Sequence, residues 1–283
     1  MITENEARFV FDHACVPEHV PAYVTAVSGA EPFFSSGYLY YARADQLTFV
    51  GYPLGADPDG KCLQAALDRA ILERKPARLA VIAGHTPSVS MRSIAQEEDD
   101  YFRIMLPDWK MPQKVRNMIH RAAQEVNIVQ EKSLGTEHGS LIASFLEKHR
   151  MSGAMRLIFE KIPEYVSSSP TAQVFSARDR EGRLLAFDVA ELGARHYVFY
   201  MFNLRNPGLP MPGVSDLLFH QVLKKASTLG KEYVNMGLGV NKGIRFFKEK
   251  WGGRPFLAYR YGLYGAGSVR SSFVRALSQG LFR

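Results

Sequence analysis

Where a helix begins, unpaired N–H groups and the positive end of its dipole make a seat for an anion. Residues 205–253 offer such a seat, in the loop that runs from Arg205 into a helix starting near Val214. The residue types there oppose an ordinary phosphate. Pro207, Pro210 and Pro212 each lack an N–H, and Asp216 puts a carboxylate in the first turn, where it repels an anion. The simpler reading of Asp216 is a first-turn residue favoured by the dipole. Downstream, Lys242, Arg245 and Lys248 recur every three residues, the pattern of a solvated helix face. Ile244, Phe247 and Trp251 read as core packing, and Asn241 reads as the N-cap.

Nucleophile and metal chemistry leave no signature. The eight histidines show no HExxH or paired-ligand spacing, and residues 84–90 (GHTPSVS) lack a Gly-x-Ser-x-Gly elbow. His220 alone is noted, one helical turn from Asp216. Cys15 and Cys62 have no metal-ligand spacing and read as small buried residues, so no metal and no disulfide are expected.

The elements that must position these residues form a mixed α and β pattern. Residues 37–52 (GYLYYARADQLTFVGY) suggest a hairpin turning at 44–46, followed by a helix over 63–72 and short strands over 80–83 and 101–106. Residues 114–125 place Val115, Met118, Ile119 and Ala122 at helical spacing with basic residues on other faces. A domain boundary falls in 131–139, giving an N-terminal lobe over 1–133 and a C-terminal lobe over 134–283. In the second lobe a helix (141–148) precedes strands over 172–177, 184–191 and 196–202. A Pro- and Gly-rich loop (206–213), a helix from about 214, a strand (233–236), a helix (241–250) and a last strand (256–263) follow. Residues 268–283 set Val269, Phe273, Leu277 and Leu281 at four-residue spacing, a basic amphipathic segment that docks on its own protein or lies on an anionic membrane.

The order helix, antiparallel meander, helix, strand, helix, strand is similar to that of GNAT acyltransferases. The fold expected is α+β, a tandem GNAT-like fold with two mixed-sheet lobes, the first a degenerate copy of the second. Arg205 and Gly208 begin like the acetyl-CoA signature Arg-x-x-Gly-x-Gly/Ala, but Pro210 stands at its final position. The run PGVSDLLFHQVLKKASTLGKEYVNMGLG, then GIRFFKEKWGGRPFLAYRY, resembles the C-terminal transferase domain of phosphatidylglycerol lysyltransferases. The resemblance covers about residues 101–263, and Fem-type peptidoglycan-branching transferases share the tandem plan.

That resemblance implies transfer of an aminoacyl group from aminoacyl-tRNA to a lipid, peptide or small-molecule amine or hydroxyl. The tRNA ester is already activated, so no cofactor and no covalent enzyme intermediate are required; CoA is the alternative donor. Arg205 matches a family arginine expected to contact phosphate, and Asp216 the aspartate that opens the long helix. Lys248 and Lys250 match two lysines expected to hold the tRNA 3′-terminal phosphate or neutralise the oxyanion. Asn235, Gly237 and Gly239 are expected to orient the acyl carbonyl. An acid expected three positions before the arginine is replaced by Phe202, with Asn203 beside it; a ring can hold an ammonium by cation–π contact but cannot act as a base.

The bulk properties leave the donor open. With 283 residues, 46% hydrophobic and 22% charged, the chain reads as two medium globular domains. A net charge of +7 implies an anionic partner: tRNA, an acidic lipid surface or a phosphorylated cofactor. No apolar run is long enough to span a bilayer and no leader pattern opens the chain, so a cytoplasmic location is expected, with the inner face of the membrane as the alternative. Three readings stay open: an aminoacyl-tRNA-dependent transferase, an acyltransferase using acyl-CoA or an acyl carrier protein, and a non-catalytic binding protein.

Overall fold

The computed structural model describes residues 1–55, 62–107, 109–149 and 153–265. The amphipathic segment over 268–283 lies outside them. Helices α1 (Glu4–His13) and α2 (Pro21–Ser28), joined by a 3-10 turn over Pro17–His19, lead into strands β1 (Glu31–Ser35), β2 (Tyr38–Arg43) and β3 (Gln46–Gly51). Helix α3 (Leu63–Arg74), strands β4 (Arg78–Ala83) and β5 (Ser93–Met105), helix α4 (Gln113–Ala122) and strand β6 (Asn127–Glu131) follow. Three helices, α5 (Thr136–Lys148), α6 (Gly153–Glu160) and α7 (Ile162–Ser168), precede a meander of β7 (Ala172–Arg178), β8 (Leu184–Glu191) and β9 (Tyr197–Arg205). The chain then forms α8 (Val214–Thr228), β10 (Tyr233–Leu238), α9 (Lys242–Lys250) and β11 (Arg254–Gly265).

All eleven described strands join one sheet in the order β1-β2-β3-β4-β11-β5-β10-β9-β8-β7-β6. The last strand crosses back from the second half to lie between β4 and β5, antiparallel to both. The proposed boundary at 133/134 falls between β6 and α5. Apolar residues fill both faces of the meander. Phe187, Val189, Phe199 and Met201 enter one core together with Tyr23 and Tyr165, while Ala186, Ala190, Val198 and Tyr200 enter another beneath α8. These strands therefore read as continuous apolar runs, as strands covered on both sides must.

The hairpin, the helices over 63–74 and 113–122, the meander and the order from α8 to β11 agree with the sequence reading, which gives no α2, β1, β6, α6 or α7. Three further features differ. Strand β5 starts eight residues earlier than expected, because residues 93–100 (SIAQEEDD) carry no apolar alternation and are held by backbone pairing to β11. Helix α1 was not read at all, although Thr3 and Glu6 form a reciprocal capping box. Cys62 is exposed and Cys15 half-buried, so neither is the fully buried residue expected.

The first half buries an unusual titratable set against this sheet. Glu18 is 4% exposed; its Oε2 accepts the Tyr101 hydroxyl at 2.8 Å and its backbone carbonyl accepts the Tyr41 hydroxyl at 2.7 Å. Burial pushes the Glu18 carboxyl up to about 7, opposed by the Tyr101 hydrogen bond. His19, also buried, is pushed down to about 3 by desolvation. Between pH 4.5 and 7 the unfolded chain loses the Glu18 proton while the folded chain keeps it, so stability falls with rising pH. His19 acts in the opposite sense below pH 6.5. Because Glu18→Gln leaves His19 in place, subtracting the two proteins isolates Glu18. Urea unfolding should show wild type losing about 3 kcal/mol relative to E18Q between pH 4.5 and 7, with no further change above. A pH-independent difference would show that the carboxyl is ionised throughout.

Candidate active-site groove

Strand β9 carries the residues that matter most, and a bulge decides which way they face. Val189 pairs with Phe202 and Ala190 with Tyr200, leaving Met201 as an extra residue. Met201 and Phe202 consequently point to the same core, and Phe202 sits edge-on to Tyr23 and beside Phe159 and Tyr165. Tyr200, Asn203 and Arg205 share the opposite side, where a groove of about 890 Å³ opens. The sequence reading puts Phe202 at the substrate; the bulge turns it into the core and brings Asn203 to the groove.

The groove lies between the C-terminal end of β9, the loop over 206–213, the start of α8 and helix α9, with Phe145 and Phe159 from α5 and α6 closing one side. Gly213 lets the loop enter α8: its φ of +78° suits glycine, and a Cβ there would come within 2.9 Å of the Met118 side chain on α4. Beyond the cap, Asp216 is almost fully buried. Its Oδ1 takes the Lys250 ammonium at 2.5 Å and the Trp251 indole N–H at 2.8 Å. Trp251 is itself sealed and stacks on Trp109 with ring centroids 5.8 Å apart. Helix α9 is therefore tied to the first turn of α8.

Lys248 faces inward from the same helix. Its Nζ donates to the Leu238 carbonyl and lies 5.6 Å from the centre of the Phe102 ring. Desolvation holds this amine well below the ordinary lysine range; Asp99 counters the effect and Arg245 adds to it. Leu238 ends β10, which is paired with β5 along its length but runs parallel to β9 only through Asn235. Lys248 thus reaches the stretch of β10 that has parted from β9.

Of the nine residues singled out from sequence, Lys248, Lys250, Asp216, Arg205 and Asn203 meet at this groove. Phe202, Asn235, Gly237 and Gly239 do not line it. Asn235 is fully buried and committed elsewhere, donating to the Cys15 carbonyl at 3.1 Å and accepting the Gly237 N–H at 2.9 Å. Gly239 lies under the Arg245 guanidinium, 2.7 Å from where a Cβ would stand. His220 is half-buried outside the lining, its imidazole pushed down to about 4 by burial and Lys224.

Sequence reasoning missed one acid. Asp188 on β8 faces Asn203 across the ladder, is fully buried, and accepts the Asn203 amide N–H at 2.5 Å. Burial raises its carboxyl well above the usual carboxylate range, moderated by Asn203 and Tyr200. The signal was available, since a lone aspartate inside the apolar run 184–190 must find a partner.

A buried Ser–His–Glu set also exists, on the other face. His138 Nδ1 accepts the Gly135 N–H at 3.1 Å, so its Nε2 carries the hydrogen and donates to Ser176 Oγ at 2.8 Å, while Ser176 donates to Glu131. A histidine that donates to serine cannot take its proton, so this set braces β6 and β7 and is no nucleophile. Among the described residues no cluster of His, Cys, Asp or Glu is arranged to hold a metal ion, and no helix is long and apolar enough to cross a membrane.

No family model matches the sequence, and no curated protein matches it. Solved structures share its shape. L-PGS from Bacillus licheniformis aligns with a TM-score of 0.62 at 14% identity, over 99% of this chain and 98% of that one. The C-terminal domain of a putative lysylphosphatidylglycerol synthetase from Agrobacterium fabrum gives 0.61 at 14%, over 98% and 96%. A tandem GNAT protein from the clavulanic acid biosynthesis pathway gives 0.56 at 10%, over 94% and 97%. The chain has the tandem GNAT fold. Its α8 carries a carboxylate in the first turn, and the loop ahead of it holds three prolines.

Removing the Asp216 carboxylate tests how firmly that entry is held. Asp216→Ala leaves Lys250 and the Trp251 N–H unpartnered and should cost about 3 kcal/mol in urea unfolding, whereas D216N, which still accepts from Trp251, should cost less than half of that. Equal losses would show that the indole bond contributes nothing.

Proposed function

We propose that this tandem GNAT protein is an aminoacyltransferase that takes its acyl group from aminoacyl-tRNA and passes it to an amine or hydroxyl on a lipid, peptide or small molecule. The observation that carries this reading is the entry to α8. Asp216, already tied to Lys250 and Trp251, occupies the first turn, and Pro207, Pro210 and Pro212 remove donors ahead of it, so a CoA pyrophosphate meets a carboxylate where it needs N–H groups. The groove itself is open and carries Lys148 and Arg205 as exposed cations at its rim, suited to the phosphates of an RNA 3′ end. The likeness to L-PGS and to the putative lysylphosphatidylglycerol synthetase domain supports the same class.

In this reading the acceptor nucleophile attacks the ester carbonyl directly. Lys248, a desolvated amine held below its ordinary range, takes the nucleophile's proton and returns it to the tRNA 3′-oxygen, which leaves as the hydroxyl when the ester C–O bond breaks. Arg205 contacts phosphate and Lys250 keeps α9 in place through Asp216. Tandem GNAT likeness alone also fits acyl-CoA as donor, which a CoA titration separates. The activity belongs in the cytoplasm or at the inner face of a membrane, where charged tRNA is present.

Incubation with tRNA charged with radiolabelled amino acids and a panel of acceptors should move label from tRNA to acceptor, with no label trapped on protein. Lys248→Met should lower kcat by about 10²-fold or more. Intact aminoacyl-tRNA after incubation, together with calorimetric binding of CoA, would replace this reading with the acyl-CoA one.

A further inference from the structure

The acid that β9 lacks is supplied by its neighbour. Asp188 lies beneath the groove, and its Oδ1 accepts one Nδ2 hydrogen of Asn203 at 2.5 Å. The Asn203 Oδ1 is fixed independently by the Ser215 hydroxyl at 3.0 Å, from the first turn of α8. An amide pinned at both ends has one N–H left, beside the Tyr200 hydroxyl, and Tyr200 and Asn203 both line the groove. We propose that Asp188 is a positioning residue for acyl transfer: it locks the Asn203 amide so that the remaining N–H faces the groove and meets the acyl carbonyl as negative charge develops on its oxygen. The proposal rests on the acyl-transfer reading above and adds the donor that steadies the oxyanion.

The surroundings of Asp188 suit a neutral, fixed partner. Strand β7 opposes it with Phe175, and β9 brings Tyr200 and Asn203. On α8 the nearest charge is Asp216, which is tied to Lys250 and acts on Tyr200. No cation among the described residues is recorded pairing with Asp188, and its burial favours the protonated acid, whose carbonyl oxygen still accepts from Asn203. A buried group that is uncharged, sealed from substrate and bonded to a groove residue acts through that residue.

The test compares Asp188→Asn, Asp188→Ala and Asn203→Ala in the charged-tRNA assay, with the Asn203 side-chain amide followed by NMR. D188N keeps an oxygen opposite Asn203 and should retain kcat within about threefold, whereas D188A should lower kcat about 10- to 100-fold at unchanged KM. N203A should match D188A or exceed it, and the double variant should be no worse than N203A alone. In the wild type and D188N the two Asn203 amide hydrogens should be strongly inequivalent, and in D188A they should converge. Wild-type kcat in D188A, unmoved amide resonances, or a folded D188N that loses activity would each overturn the proposal. Should D188A fail to fold, D188N alone decides it. If wild type transfers nothing from tRNA, the functional reading falls, while the amide resonances still show whether Asp188 orders Asn203.

Discussion

One extra residue in β9 sets the geometry on which the groove depends. A regular strand alternates its side chains, so Tyr200 and Phe202 would share a face and Asn203 would point away from them. The bulge at Met201 breaks that alternation, sending Met201 and Phe202 together into the aromatic core with Tyr23, Phe159 and Tyr165. Asn203 and Arg205 are thereby moved to the side of Tyr200 and α8. The same shift sets Asn203 over Asp188. Without that change of phase Asn203 and Arg205 would still share a face, but it would be the face of the aromatic core.

The second constraint is electrostatic. Three prolines take N–H donors from the loop ahead of the helix, a first-turn carboxylate offsets the charge that a helix start offers to an anion, and Lys250 and Trp251 neutralise and satisfy that carboxylate internally. The pair is nearly buried, so its members cannot leave for a ligand without exposing a desolvated charge. What the helix start loses as an anion seat it gains as an anchor for α9. Lys248, two residues before Lys250, is carried inward by that anchor and ends beside the Leu238 carbonyl.

Much of this order was legible in the sequence. The hairpin at 38–51, the meander and the α8-β10-α9-β11 succession are strong periodic signals bounded by turns, and the Phe-Lys-x-Lys and Pro-Gly-x-x-Asp patterns identified the residues that meet at the groove. Other features could not be read in the same way. Nothing in YMFNLR announces a bulge, because which residue is the extra one depends on the register with β8. Residues 93–100 lack strand composition and become a strand only because β11 crosses back to pair with them. Asn235 resembled a carbonyl-orienting residue by motif, but its amide is consumed by Cys15 from a segment 220 positions away.

That last contact shows why the first half is more than a spare lobe. The strand β10 that ends at Lys248's carbonyl partner is paired to β5 over Tyr233–Leu238, and Asp99 on β5 accepts the Val240 N–H at 2.6 Å and binds the Arg245 guanidinium. Val240 sits at φ +51°, a conformation that a β-branched residue keeps only when its neighbours enforce it. Asp99 supplies that enforcement from the polar stretch of β5, which β11 in turn holds in the sheet. The acidic run that hides β5 from sequence analysis is therefore the run that fixes the turn into α9. The position of Lys248 in the groove depends on residues from both halves of the chain.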